Sequence, residues 1–250
     1  MTRVGWILVG LLAVSSLLAE DADPNDFSKY LQGRHVYKSQ CAPCHGMTGK
    51  GDGPWAEGMT LPPRNFRMGI FKYRTTPMGY QPTDDDLRRT IRRGVSGTAM
   101  PTFAKTLNDR DLTAILVYLK NLSRRWDESD RHTEGAFLPS APDWFQDSEG
   151  LQSHRVAGKE TFDLVCATCH GPKGRGDGPG SVGLTNVWGF PATPADLQTE
   201  HHRSGPGRDD LFRTISLGLD GTPMIGFREV LEDEKIWELI AYIEALPGAD

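Results

Sequence analysis

The stretch CAPCHGMTGKGDGP at residues 41–54 occurs a second time, as CATCHGPKGRGDGP, at residues 166–179. Two further pairs of matching segments follow in the same order. DLRRTIRRGVSGTAMPTF (86–103) matches DLFRTISLGLDGTPMIGF (210–227), and LNDRDLTAILVYLKNL (107–122) matches LEDEKIWELIAYIEAL (231–246). The offset is 125 residues at the first pair and 124 at the others. Because order, spacing and residue chemistry all agree, the chain is a tandem duplication.

Each repeated stretch opens with the pattern Cys-x-x-Cys-His, which is typical of covalent c-type haem attachment. The two thiols bond the vinyl groups of one haem, and the adjacent histidine ligates its iron. All four cysteines of the sequence are used in this way. We therefore predict two covalently bound haem c groups, held by Cys41, Cys44 and His45 and by Cys166, Cys169 and His170.

Length and composition fit two small domains. The chain has 250 residues, of which 38% are hydrophobic, and a formal net charge of −5. Two domains that each enclose an apolar porphyrin need less aliphatic core than one large domain. The acidic balance argues against nucleic acid as a partner, since that function requires a basic patch.

The hydrophobic pattern of both halves predicts helices and no convincing strand, so the fold class is all-α. In the last segment of the first half, apolar residues follow Leu112 at helical spacing, and the second half repeats this stripe. Asn108 is a suitable N-cap for that helix. A middle helix is predicted from near Thr83 to Gly94, with a counterpart from near Arg208 to Gly218.

These patterns divide the chain into four segments. Residues 1–19 combine a charged start with an apolar run and a small residue at a plausible cleavage point, which predicts a signal peptide, with an uncleaved anchor as the alternative. Residues 27–122 and 153–248 form the two haem domains, and residues 123–152 form a linker whose aromatic residues pack on one or both of them. Export to the periplasm agrees with haem attachment, which in bacteria takes place outside the cytoplasm.

The sixth iron ligand decides much of the function of a haem protein. Met224 is the one methionine of the second half, and Met100 alone among those of the first half aligns with it. The spacings from His45 to Met100 and from His170 to Met224 are 55 and 54 residues. We predict both methionines as iron ligands. His201 and His202 compete with Met224, although their polar loop favours a surface position for them.

Each half resembles a class I cytochrome c domain, and the pair resembles a bacterial dihaem cytochrome c. The resemblance covers nearly all of the chain after its N-terminal segment. In that family a glycine and an aromatic residue on the first helix meet an aromatic residue on the last helix. Gly33, Tyr37 and Tyr118 match this pattern in the first half, and Gly158, Phe162 and Tyr242 match it in the second. The resemblance implies His/Met-ligated, low-spin haems that carry electrons.

The two halves differ around the predicted haems. Met100 is followed by Pro101, as is common in the family, whereas Met224 is followed by Ile225. Arg64 and Lys72 of the first half either pair with haem propionates or face solvent. In the second half Trp188 is expected to cover the haem. We expect these differences to give the two haems different reduction potentials.

The function predicted from these observations is single-electron transfer without enzymatic turnover. The expected partners are redox proteins: a membrane respiratory complex, a terminal oxidase or a periplasmic oxidoreductase. A partner or an uncleaved N-terminal segment would hold the protein at the membrane. The main alternative is a haem enzyme, or the haem subunit of an oxidoreductase complex, in which one iron has a labile ligand. A zinc or dithiol protein is disfavoured by the histidine that follows both Cys-x-x-Cys motifs.

Overall fold

The computed structural model describes residue 23, residues 26–199 and residues 202–246. These residues form helices and loops without a strand, apart from an isolated bridge between Thr185 and Pro191. The predicted all-α fold is confirmed. No helix within these ranges has the length and apolar character that are needed to span a membrane. The predicted signal peptide at residues 1–19 and His201 lie outside the described residues.

The second half repeats the helix order of the first: a long helix, a one-turn motif helix, a middle helix and a last helix. The helices of the first half are α1 (Phe27–Gln40), α2 (Ala42–His45), α3 (Asp84–Arg93) and α4 (Asp109–Lys120). Those of the second half are α5 (Ser148–Val165), α6 (Ala167–His170), α7 (Arg208–Leu217) and α8 (Asp233–Ile243). Short 3-10 helices lie at Phe66–Met68, Arg124–Trp126, Ser129–Arg131, Asp143–Gln146 and Pro179–Ser181.

The middle helices begin and end at the predicted residues. The Thr83 hydroxyl accepts a hydrogen bond from the backbone N–H of Asp86 at 3.2 Å, and the Asp86 carboxylate accepts one from the N–H of Thr83 at 3.0 Å. This capping box satisfies backbone donors that the first turn of α3 leaves unpaired. Gly94 caps the C-terminus of α3 with φ 71°, and Gly218 caps that of α7 with φ 68°. Glycine adopts these positive φ values without steric cost.

Each half is held together by the crossing of its first and last helices. Gly33 of α1 lies so close to α4 that a Cβ there would be 2.6 Å from the carbonyl carbon of Ala114. Beside this contact the rings of Tyr37 and Tyr118 pack with centroids 4.9 Å apart. The second half repeats the crossing between α5 and α8, where Gly158 provides the close approach. The rings of Phe162 and Tyr242 pack beside it with centroids 5.2 Å apart. The glycine–aromatic pattern found in the sequence is therefore a helix-crossing pattern.

The stretch predicted as a linker packs against both halves. Trp126 is buried in the core of the first half and Phe145 in the core of the second. Between them Phe137 is 82% exposed. Helix α5 begins at Ser148, inside that stretch, because the carboxylate of Asp147 caps it by accepting the N–H of Glu149 at 3.1 Å.

Polar contacts join the two halves directly. The guanidinium of Arg93 at the end of α3 forms an ion pair with Asp210 at the start of α7, at 3.0 Å. The guanidinium of Arg74, which is buried, donates a hydrogen bond to the carbonyl oxygen of Leu217 at 3.3 Å. These contacts bring the haem motifs of the two halves to one region of the molecule.

Candidate functional site

Each Cys-x-x-Cys-His motif forms a one-turn helix directly after the first long helix of its half. The backbone N–H of His45 donates to the carbonyl oxygen of Cys41 at 2.8 Å, and His170 makes the same bond to Cys166 at 2.9 Å. Burial raises the pKa of Cys41 and of Cys166 to about 12. Both cysteines are thus enclosed by the protein at the point where each motif follows its long helix.

The glycine-rich stretch after each motif folds back onto it. The N–H of Gly51 donates to the carbonyl oxygen of His45 at 2.9 Å, and Gly176 makes the same bond to His170 at 2.8 Å. Gly51 has φ 80°, and a Cβ on it would lie 2.5 Å from the carbonyl oxygen of Pro63. The tight turn that the sequence predicts near the haem motif is thus present, and it requires glycine.

A backbone carbonyl orients each of the two motif histidines. The Nδ1 atom of His45 lies 3.0 Å from the carbonyl oxygen of Arg64, and Nδ1 of His170 lies 3.1 Å from that of Ala195. Histidines that ligate metals usually donate their second ring N–H in this way, which fixes the ring and leaves Nε2 for the metal. Burial lowers the pKa of both histidines and so favours the neutral imidazole that ligates iron.

Both motifs open into one continuous cavity of about 2010 Å³. Pockets for a single drug-sized ligand measure roughly 300–1,000 Å³, so this cavity has room for two large ligands. The predicted iron ligands Met100 and Met224 line it, as do Met59 and Met68 of the first half. The structure therefore brings all eight predicted haem-binding residues to the same space: Cys41, Cys44, His45, Met100, Cys166, Cys169, His170 and Met224.

The polar groups of the cavity wall suit the carboxylates of a haem. Arg64, Lys72 and Arg203 line the cavity. Burial lowers the pKa of Arg64 to about 10 and that of Lys72 to about 8. The guanidinium carbon of Arg64 lies 3.7 Å from the ring centre of Trp188, whose indole N–H is buried without a hydrogen-bond partner. Ionised propionates would pair with these cations and accept that N–H, so the residues present fit haem.

The placement of other candidate residues refines the sequence analysis. Arg64, Lys72 and Trp188 line the cavity, as expected for residues that contact a haem. His202 also lines it and is half-buried, and burial lowers its pKa. His202 therefore lies at the edge of the cavity with part of its side chain exposed, and the choice between Met224 and His202 as ligand stays a prediction.

Sequence reasoning missed the contact between Arg74 and Asp220, which links the halves beside the cavity. The Nε atom of Arg74 lies 3.8 Å from the Asp220 carboxylate. One feature of the sequence points to it. At the position of Asp220 in the repeat, the first half has Ser96, so only the second loop carries a charge there.

Comparison with known families agrees with this geometry. The family model for cytochrome c oxidase, cbb3-type, subunit III matches residues 28–119, and the model for cytochrome c matches residues 156–247. The chain belongs to the dihaem c-type cytochromes. It has two tandem cytochrome c domains, each with one covalently bound haem c, and it transfers electrons.

Several relatives of this cytochrome are oxidase subunits by name. The cbb3-type cytochrome c oxidase subunit CcoP of Azospirillum brasilense is 26% identical over 95% of this chain and 70% of its own length. CcoP of Azospirillum sp. (strain B510) is 27% identical over 86% of this chain. Subunit FixP of Azorhizobium caulinodans is 27% identical over 87% of it. The chain spans 62% of the second relative and 59% of the third.

A solved structure extends the likeness. It belongs to the Kuenenia stuttgartiensis reducing HAO-like protein complex Kustc0457/Kustc0458. The matching chain has 34% sequence identity and a TM-score of 0.76. The match covers 86% of this cytochrome and 96% of that chain. The two-domain architecture is therefore shared over nearly the full length of a protein from a redox complex.

Proposed function

We propose that this cytochrome is an electron carrier or electron-transfer subunit without enzymatic turnover of its own. One observation carries the proposal: both haem motifs and both repeat-matched methionines line a single cavity. Haem supplies the one-electron Fe(III)/Fe(II) couple when it is bound. The protein contributes the axial ligands, the charge around the haem edges and the exclusion of water.

The axial ligands in this proposal are His45 and Met100 for the first haem and His170 and Met224 for the second. The backbone carbonyls of Arg64 and Ala195 orient the two histidines, which leaves each Nε2 for the iron. With both residues bound to it, each iron would be closed to small molecules. His/Met ligation also raises the reduction potential, which suits transfer to a high-potential acceptor.

The methionine loops support this assignment because they have the same internal hydrogen bonds. The N–H of Val95 donates to the carbonyl oxygen of Met100 at 3.1 Å, and Leu219 makes the same bond to Met224 at 2.9 Å. The N–H of Met100 donates to the Thr98 hydroxyl at 3.1 Å, and that of Met224 donates to the Thr222 hydroxyl at 3.2 Å. Identical loop geometry in two domains is expected when both loops present the same ligand.

The charges of the cavity wall have a role in electron transfer as well as in binding. Arg64 and Lys72 come from the first domain, and Arg64 stacks on Trp188 of the second domain. Haem propionates at this boundary would neutralise both cations in a region of low dielectric. Charge-assisted hydrogen bonds from Arg64 and Lys72 would hold the propionates at this boundary between the domains.

The partners are redox proteins, and two settings fit the relatives. The names of the oxidase subunits favour delivery of electrons to a terminal oxidase. The HAO-like complex favours a role as the haem subunit of an oxidoreductase. In both settings we place the cytochrome domains at residues 27–122 and 153–248 in the periplasm, with residues 1–19 as export signal or anchor.

Reductive titration of the holoprotein tests the carrier role. A carrier takes up two electrons per chain, returns both to an added oxidant and does not turn over hydrogen peroxide or a reduced sulfur compound. Turnover at one haem would contradict the proposal. For the ligands, we expect Met224→Ala to open the second haem to carbon monoxide. His202→Ala is the matched control, and carbon monoxide binding in that variant alone would assign the ligand to His202.

A further inference from the structure

The loop that carries Met224 differs from its counterpart in what lies outside it. We call residues 95–100 the first methionine loop and residues 219–224 the second. Their internal hydrogen bonds match. In the first loop Pro101 follows the methionine and restricts the backbone, whereas in the second loop Pro223 precedes Met224 and the 57% exposed Ile225 follows it. The proline restraint therefore lies on opposite sides of the two methionines.

Asp220, the single acidic residue of the second methionine loop, contacts the first domain. One carboxylate oxygen of Asp220 accepts the backbone N–H of Gly79 at 3.2 Å and lies 3.8 Å from Nε of Arg74. The side chain of Arg74 is fully buried, and that of Asp220 is 13% exposed. Since water is largely excluded, this contact between charges is weakly screened.

Arg74 is itself held rigidly. Its guanidinium donates to the carbonyl oxygen of Thr76 in its own domain at 2.6 Å. It also donates to the carbonyl oxygen of Leu217, the last residue of α7, at 3.3 Å. Arg74 thus reaches both the end of the helix that leads into the second methionine loop and the carboxylate within that loop.

Trp188 and Ile70 also pack against the second methionine loop, at Gly221. Gly221 has φ 77°, and a Cβ on it would lie 2.8 Å from Cζ3 of Trp188 and 2.9 Å from Cγ2 of Ile70 in the first domain. Arg64 stacks on the same Trp188 ring, with its guanidinium carbon 3.7 Å from the ring centre. The carbonyl oxygen of Arg64 also orients His45. A chain of contacts through Arg64 and Trp188 therefore joins His45 to the loop that carries Met224.

Neither the charged contact nor the packing contact is present at the matching positions of the first methionine loop, Ser96 and Gly97. Ser96 stands where the second loop has Asp220, and it is exposed. Gly97 has φ 67°, close to that of Gly221, but a Cβ on it would meet no heavy atom within 4 Å of the described structure. The duplication thus supplies an internal control for the contact.

We propose that Arg74 of the first domain is a positioning residue, which acts through Asp220 to hold Met224 on the iron of the second haem. This inference rests on the proposed Met224 ligation. It makes the closed state of the second haem depend on the docking of the first domain, whereas the first haem is closed by its own domain. Displacement of the first domain by a partner would then loosen the second haem alone.

The test is Asp220→Ser in the full-length holoprotein, because serine is the residue of the matching loop. Ser96→Ala is the control. The readouts are carbon monoxide binding by the reduced protein and the sulfur-to-iron charge-transfer absorption of the oxidised protein. We expect Asp220→Ser to raise the fraction of the second haem that has lost Met224 by roughly tenfold. Loss of a hydrogen bond to a charged group changes an equilibrium by about this factor. Ser96→Ala should leave both haems unchanged.

A second pair of variants tests the contact of the same loop with Trp188 and Ile70, without changing charge. Gly221→Ala and Gly97→Ala impose similar backbone strain, but only the former adds a Cβ against Trp188 and Ile70. We expect Gly221→Ala to weaken the Met224–iron bond more than Gly97→Ala weakens its counterpart. Equal effects in this pair would count against support of the second methionine loop by the first domain, and a wild-type response of Asp220→Ser would by itself overturn the role of Arg74.

Met224→Ala separates this inference from the ligand proposal. If Met224→Ala opens one haem and Asp220→Ser does not, the positioning role is refuted and the ligation stands. If Met224→Ala leaves carbon monoxide binding unchanged, the ligation itself is refuted, and the positioning role is refuted with it. Asp220→Glu keeps the charge, so partial recovery of the wild-type response supports positioning by the Arg74 contact.

Discussion

Substitution of Gly158 by alanine places a methyl group directly in the crossing of α5 and α8. Its Cβ would lie 2.5 Å from the carbonyl carbon of Glu238 and 3.1 Å from the backbone nitrogen of Leu239. Carbon atoms in favourable contact are about 3.5–4.0 Å apart, so the helices must separate by roughly 1 Å. Backbone atoms on both sides leave no flexible side chain that can move aside.

The expected cost follows from this displacement. Overpacking of a well-packed core costs about 1–3 kcal/mol, and a clash with backbone belongs at the upper end of that range. Alanine recovers about 1 kcal/mol relative to glycine inside a helix. The net loss is therefore about 2 kcal/mol of unfolding free energy, which lowers the midpoint of a domain of this size by roughly 10 °C.

Thermal unfolding of the holoprotein measures this effect, with far-ultraviolet circular dichroism for the helices and haem absorption for each site. Gly150→Ala is the control, because its Cβ would meet the movable end of the Asp147 carboxylate, 2.6 Å away. A Gly158→Ala midpoint equal to that of Gly150→Ala would refute the account of the crossing. We expect the second haem site to be lost first in Gly158→Ala.

Two further predictions concern the first domain. The buried hydroxyl of Tyr37 donates to the carbonyl oxygen of Gly46 at 2.8 Å, so Tyr37→Phe should cost about 1–2 kcal/mol by chemical denaturation of that domain. An unchanged midpoint would show that this hydrogen bond contributes nothing. Burial and the charge of Arg64 lower the pKa of Lys72 to about 8, and a paired propionate moves it upward. A protonated lysine favours the reduced haem, so the reduction potential of the holoprotein should fall as the pH rises through the raised pKa of Lys72, above about 8. Lys72→Met should abolish that step in potentiometric titration. A step that persists in Lys72→Met would assign it to another group.

The sequence was sufficient to predict what depends on local pattern and on the duplication. Thr83 and Gly94 bound the middle helix because capping and positive φ impose specific residue types at those positions. Gly33 and Tyr37 were recognised through the resemblance to class I cytochrome c domains, and the structure supplies the reason: only glycine permits that approach of the helices. The alignment of Met100 with Met224 required two copies of the domain, since either methionine alone resembles an ordinary core residue.

Contacts between the two halves were not predictable in the same way. Arg74 and Leu217 are 143 residues apart, and their contact has no periodicity that a sequence pattern would reveal. His202 lies in a polar loop whose composition indicates solvent, yet the chain folds it against the cavity. Arg64 illustrates both cases: its basic side chain was noted as a propionate partner, but its position on Trp188 depends on how the domains dock.

The duplicated domains are therefore similar in the ligands that we propose and different in the contacts around them. Tyr37 bonds the backbone after the first motif, whereas Phe162 occupies that position in the second half and lacks a hydroxyl. The cations Arg64 and Lys72 both come from the first domain. Since hydrogen bonding and charge around a haem tune its potential, we expect two distinct one-electron steps.

The visible spectrum of the dithionite-reduced wild-type holoprotein, recorded before and after addition of carbon monoxide, tests the central claim most directly. The claim is that each of two haems is closed by a histidine and a methionine. An unchanged spectrum, with two haems per chain, is the result that this account predicts. A carbon monoxide adduct at half of the haem in the wild-type protein would contradict it, because one iron would then have an open position for catalysis or sensing.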